Sequence, residues 1–113
     1  MTDKAVHNGV PQLTVQQLKQ RMDAGEKPFL LDVREPYEHQ IANLGGVLIP
    51  QNDVARRLSE LDPSSEIIVH CRSGVRSQRI AEMLQKNGFA RVENLSGGIL
   101  AWAEQIDPTM QKY

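Results

Sequence analysis

Apolar residues come in short runs at 29–33, 47–49 and 67–69, separated by stretches in which they recur every three or four positions. Runs of strand length, rich in β-branched residues, predict buried strands, and the three-to-four spacing predicts helices with one face inward. Residues 11–13 and 91–95 add two more strand-length segments. Thr14 is placed to cap a helix carrying Val15, Leu18 and Met22, which Gly25 ends. Glu35, Pro36, Tyr37 and Glu38 predict a short helical turn with proline near its first position. Asp53 is placed to cap a helix using Val54, Leu58 and Leu61, stopped at Asp62–Pro63, with Arg56 and Arg57 on its solvated face. Val75, Ile80, Met83 and Leu84 form a further helical stripe up to Asn87–Gly88, and Ile99, Trp102 and Ile106 form the last before Pro108, with Trp102 read as core. Strands alternating with helices predict an α/β domain: a central parallel sheet of about five strands with helices on both faces. Residues 11–113 form this domain. Residues 1–10 are polar and unpatterned, which predicts a flexible tail in which His7 lacks converging metal-ligand partners.

The run at 67–69 leads through His70 into Cys71, Arg72, Ser73, Gly74, Val75, Arg76 and Ser77. The order is strand, tight loop, helix. The first turn of a helix has N–H groups without intrahelical partners and carries partial positive charge, so a thiolate placed there is stabilised. Arg72 and Arg76 bracket the loop, and nearby guanidiniums also depress a thiol pKa. A lone cysteine after a buried strand is by itself an inert small hydrophobe. Two arginines, a glycine and two serines have no packing reason to cluster behind it. Cys71 is therefore read as a nucleophile, with residues Arg72, Ser73, Gly74, Val75, Arg76 and Ser77 as the binding loop for a small anion. His70 is adjacent to it, but alternation along a strand sends neighbouring side chains to opposite faces, so it is a poor general base.

Ligands gather at the carboxyl ends of parallel strands, which puts Asp32 and Arg34 on the same functional edge. The expectation for them is supporting: Arg34 pairs with Asp32 or Glu35 and fixes its loop, since a bare acid beside the thiol would oppose the thiolate.

Composition narrows the field. A chain of 113 residues, 40% hydrophobic, suits one domain. A net charge of −1 gives no global basic field for nucleic acid. A single cysteine excludes an internal disulfide, a CxxC motif and a resolving thiol in the same chain, and neither a metal nor a cofactor is expected. No run approaches the length of a membrane span and the N-terminus has no signal pattern, which predicts a cytoplasmic protein with no membrane contact.

Only four residues separate Cys71 from Arg76, and Ser77 stands where a phosphate-binding cysteine loop would need its arginine. A tighter loop suits one extra sulfur atom on Cys71 better than a phosphate. Residues 71–77 resemble the active-site loop of the single-domain rhodanese sulfurtransferases. The resemblance runs from about Leu13 onward and includes residues 31–35, 94–98 and Trp102. Residues 43–50 and the close at Ile106, Asp107, Pro108 and Tyr113 are most similar to the rhodanese domain fused behind the adenylating enzymes of molybdopterin and thiamine biosynthesis. Residues 39–43 depart from the common His-Ile-x-Gly-Ala segment.

The resemblance implies a rhodanese-like fold and transfer of a sulfane sulfur, from a small anionic donor such as thiosulfate, through a Cys71 persulfide. The acceptor would be cyanide, a thiol or the C-terminus of a ubiquitin-like sulfur-carrier protein activated by its adenylating enzyme. An extended carrier tail needs an accessible Cys71 at the sheet edge, with no lid. Two alternatives stay open: a non-catalytic rhodanese-like binding module, which usually goes with a missing cysteine, and a cysteine-loop phosphatase or arsenate reductase, which wants the longer loop.

Overall fold

Ile67, Ile68 and Val69 are all buried because their strand is covered on both faces. The computed structural model describes residues 5–113. Its strands are β1 Ala5–His7, β2 Val10–Leu13, β3 Phe29–Asp32, β4 Val47–Leu48, β5 Ile67–His70 and β6 Val92–Leu95; its helices are α1 Val15–Asp23, α2 Pro36–Ile41, α3 Val75–Lys86 and α4 Gly98–Gln105. They build one six-stranded sheet in the order β1-β2-β6-β5-β3-β4. Ile67 and Val69 pack with Ile80, Ala81 and Leu84 of α3 on one face, while Ile68 packs with Leu18 of α1 and Trp102 of α4 on the other. Period-two alternation of a strand thus feeds two separate cores. Four pairings are parallel, β2 with β6, β6 with β5, β5 with β3 and β3 with β4. β5 therefore lies inside the sheet, and its carboxyl end opens between those of β3 and β6.

Local signals agree with this plan at most helix ends. Thr14 accepts the Gln17 N–H while the Gln17 side chain accepts the Thr14 N–H, a capping box worth about 1 kcal/mol. Pro36 opens α2 where its missing N–H has no intrahelical partner to lose.

Three expectations are corrected. The unpatterned N-terminal stretch holds a strand over Ala5–His7, paired antiparallel with β2, which adds a sixth strand beside the expected central parallel sheet of five. Its side chains are exposed, and it is held through its backbone, by pairing with β2 and by Gln78 Nε2 donating to the His7 carbonyl at 2.9 Å, which no hydrophobic pattern records. Residues 1–4 of the expected tail lie outside the described residues. The helix expected after Asp53 is instead two 3-10 segments, Gln51–Asp53 and Ala55–Glu60, with Arg57 off helical geometry. On the surface there Arg56 pairs back with Asp53 and Arg57 forward with Glu60. Finally, Met22 and Val75, assigned to apolar stripes, are exposed, Val75 by 61%. Val75 begins α3 at the loop, one turn before the helix reaches the core.

Candidate active site

β5 ends at His70, and the next four residues turn directly into α3. The turn closes at Gly74, whose φ of +103° lies in the left-handed region that a side chain disfavours. This brings the first amides of α3 back onto the Cys71 sulfur. The Gly74 N–H lies 3.1 Å and the Ser77 N–H 3.5 Å from Sγ, and the Ser77 hydroxyl is 3.3 Å away. Burial alone would raise the thiol pKa. Hydrogen bonds from the Ser77 hydroxyl and the Ser77, Gly74 and Ser73 amides outweigh it and hold Cys71 below the ordinary thiol value.

Ser77 also donates to Asn94 Oδ1 at 2.6 Å. A hydroxyl has one proton, so this bond and the one to sulfur compete. With a neutral thiol, the hydroxyl serves Asn94; with a thiolate, rotating the proton to sulfur gains a charge-assisted bond. Asn94 is in turn held by Gln12 at 3.0 Å and by the Gly74 carbonyl at 3.2 Å. Gln12, Asn94 and Gln78 also line a cleft of about 480 Å³ beside the loop, walled by Ser73, Gly74 and Gly97.

The two loop arginines have partners of their own. Arg76 makes a fork-to-fork pair with Glu38, at 2.7 and 2.9 Å. Arg76 holds the Glu38 carboxyl at about 2, well under its ordinary 4.5. Glu38 raises the Arg76 pKa most, and the Cys71 charge raises it further through space. Arg72 directs Nε to the Tyr113 backbone carbonyl at 2.6 Å, and Nη2 to the same oxygen. Arg76 thus acts on the sulfur through space, at longer range than the amides do.

Asp32 and Arg34 form a buried pair, Nε to Oδ1 at 2.9 Å and Nη2 to Oδ2 at 2.8 Å. Arg34 also donates to the carbonyls of Glu38 and Ala42 and to the Tyr113 hydroxyl. All five of its N–H donors are therefore engaged within the protein. Burial would raise the Asp32 pKa, but bonds from Arg34, the field of His70 and the contact with His39 bring it to about 2. His70 is fully enclosed, and burial pushes its pKa down to about 4, so it is neutral at pH 7.

One expectation about the thiol is overturned. Cys71 is only 1% exposed and belongs to the core cluster packed under α3, because the loop closes over it. Sequence reasoning also passed over Glu38, Asn94, Gln12 and Gln78. Two signals were available: Glu38 stands three residues after Glu35 in a helix-start pattern, and Asn94 is a polar residue inside a strand. Among the described residues no cluster of His, Cys, Asp and Glu could hold a metal ion.

Residues 14–105 match the family described as "Rhodanese-like domain". The chain belongs to this family. The rhodanese-like domain is 36% identical over 104 residues to the probable adenylyltransferase/sulfurtransferase MoeZ of Mycobacterium tuberculosis, covering 89% of this chain and 26% of that protein. It thus spans about a quarter of MoeZ. A sulfurtransferase of Allochromatium vinosum is 35% identical over 95 residues, covering 83% of this chain and 89% of that one. Among solved structures, a rhodanese-like domain protein from Staphylococcus aureus superposes with a TM-score of 0.75 at 27% identity, over 80% of this chain and 89% of that one.

In this rhodanese-like domain the Gly97–Gly98 pair does more than permit a turn. The Ile99 and Leu100 amides at the start of α4 donate to the carbonyls of Cys71 and Arg72 at 3.0 and 2.9 Å. With those two carbonyls held by α4, amides further along the same loop are left to converge on Sγ. Two helix N-termini thus shape one loop, α3 receiving the sulfur and α4 receiving the backbone oxygens.

Proposed function

We propose that this domain is a sulfurtransferase working by double displacement through a persulfide on Cys71. The Cys71 thiolate attacks the outer sulfur of a donor such as thiosulfate, the donor S–S bond breaks, and sulfite leaves with the electron pair. The terminal persulfide sulfur then faces the amides of residues 72–76, and a thiophilic acceptor removes it, returning the thiolate. Arg72 and Arg76 attract the anionic donor. Asp32 and Arg34 support the site without touching substrate. The observation that carries this reading is the convergence of the Gly74 and Ser77 amides and the Ser77 hydroxyl on one sulfur. The names of relatives such as the Allochromatium sulfurtransferase support it.

Such a site is a preorganised hold for negative charge on sulfur. For a phosphatase the loop is one residue short. A non-catalytic role leaves the depressed thiol without a use.

For the acceptor, we favour a sulfur-carrier tail activated by an adenylating enzyme, which would meet the outer persulfide sulfur rather than the enclosed Cys71 sulfur itself. Support comes from the relatives named as the adenylyltransferase/sulfurtransferase MoeZ and as the putative sulfur carrier protein YrkF of Bacillus subtilis, 55% of which this chain covers. A lone thiol that works as a thiolate suits a reducing compartment, and the cytoplasm is the proposed location.

Intact-mass spectrometry after incubation with thiosulfate tests the chemistry. The expected result is the mass of one added sulfur atom on the wild-type chain, lost on treatment with cyanide and absent in Cys71→Ser. No added mass would overturn the reading, and hydrolysis of a chromogenic phosphate ester would replace it.

A further inference from the structure

Beyond α4 the chain turns at Asp107, seats Met110 against the core of α1 and α4, and brings Tyr113 to the loop. Tyr113 makes contacts there of three kinds. Its hydroxyl accepts from Arg34 Nη1 at 2.7 Å and donates to Glu38 Oε2 at 2.8 Å. Its ring lies 5.3 Å from the Arg72 guanidinium carbon and 5.8 Å from that of Arg34. Its backbone carbonyl receives Arg72. We infer that Tyr113 is a positioning residue of the sulfur-transfer site, holding Arg72 at the mouth of the Cys71 loop and bracing the Glu38–Arg76 pair. This inference rests on the sulfurtransferase reading above and deepens it.

An arginine next to a reactive thiol is a long, flexible cation, and unrestrained it spends little time in any one geometry. Tyr113 removes that freedom from two directions. The ring face attracts the guanidinium, and the carbonyl orients it by taking Nε and Nη2. The same residue reaches the second loop arginine indirectly. Glu38 forks onto Arg76, and the Tyr113 hydroxyl binds the Glu38 oxygen opposite the one that receives the Glu35 amide. One aromatic side chain therefore couples both cations, so the loop's preference for anionic donors depends on a residue 42 positions from Cys71 in the chain.

The test uses the rate of Cys71 alkylation by iodoacetate, an anion, relative to iodoacetamide, its neutral analogue, in the full chain. This ratio reads the positioned charge whether or not sulfur is transferred, so its outcome is separable from that of the thiosulfate mass experiment. Tyr113→Ala is expected to lower the ratio roughly two- to fivefold, the size fitting one half-exposed charge. Arg72→Ala should lower it at least as far, because Tyr113→Ala removes the ring and hydroxyl but keeps the backbone carbonyl that takes Arg72, and the double variant should add little to Arg72→Ala, since the two act as a unit. Tyr113→Phe keeps ring and carbonyl and should retain most of the preference. In thiosulfate kinetics the KM of Tyr113→Ala should rise by a larger factor than its kcat falls. An unchanged ratio in Tyr113→Ala, with only a lower Tm, would reduce Tyr113 to a structural residue. A higher ratio would mean that it holds Arg72 away from the anion; either result overturns the inference.

Discussion

Gly98 lies so close to Cys71 that a Cβ added to it would stand 2.7 Å from the Cys71 carbonyl oxygen, and closer still to that of Arg72. Its φ of +60° disfavours a side chain independently. The clash is with backbone, which cannot swing aside. Gly98→Ala should therefore push the Cys71 loop away from α4, with a loss of about 2–4 kcal/mol in stability. Sulfur transfer should fall even at temperatures where the variant is folded. Thermal denaturation and thiosulfate turnover check both, and a variant with wild-type Tm and turnover would refute the packing argument.

Ser77 gives a second prediction, on pH. Since its hydroxyl and amide are the foremost forces lowering the Cys71 pKa, wild-type alkylation should reach half-maximal rate below the free-thiol value of about 8.5. Ser77→Ala removes the hydroxyl but keeps the amide. A bond to a charged group is worth about 1.5–3 kcal/mol, so the midpoint should rise by about one to two pH units. Iodoacetamide rates from pH 5 to 10 decide it. Identical midpoints would show that the hydroxyl stays with Asn94 in the thiolate state.

The first two predictions draw on residues of unequal legibility. The strand, loop and helix around Cys71 could be read in advance because local pattern and local chemistry coincide there: β-branched run, glycine turn, helical stripe. The Asp32–Arg34 pair was legible for the same reason, its partners being two residues apart. Glu38 was not, because its partner Arg76 is brought to it by the sheet order and no local pattern joins them. The role of Gly98 is not legible locally, since the sequence shows a glycine's freedom and not the carbonyls it meets. The β1 strand went unread because it is held by backbone bonds, with exposed side chains. The accessibility of Cys71 is expected from what an extended acceptor tail needs, whereas in the structure residues 72–75 close over the sulfur while α4 holds the carbonyls of Cys71 and Arg72.

Loop length can be tested directly. One residue inserted between Val75 and Arg76 shifts Arg76 and Ser77 along α3, separating the Ser77 amide from Sγ and Arg76 from Glu38. Thiosulfate turnover should fall at least tenfold, the scale for loss of one preorganised donor being about 10²–10³. Binding of phosphate-like oxyanions should improve as the loop widens. Competition by arsenate or vanadate measures the second effect, and unchanged thiosulfate kinetics would show that the spacing is not selective.

Two of the depressed carboxylates, Glu38 and Asp32, bear on acid stability beside the loop. The folded state holds Glu38 and Asp32 at about 2, against ordinary values of 4.5 and 3.8. A group with a lowered folded pKa contributes stability that is fully present above its unfolded value and lost as pH falls through its folded one. Both contributions therefore act at pH 7; that of Glu38 begins to fade near pH 4.5 and that of Asp32 near 3.8, and both are lost as pH falls through about 2. For Glu38, buried and forked onto Arg76, the shift corresponds to on the order of 2–3 kcal/mol. Glu38→Gln should accordingly be less stable than wild type at pH 7, and the gap should close as pH falls from 4.5 to 2, because the wild-type carboxylate is then protonated as well. Thermal denaturation across that range measures the gap. A constant difference at every pH would mean that the substitution acts through packing, and that the Glu38–Arg76 charge pair does not hold the loop.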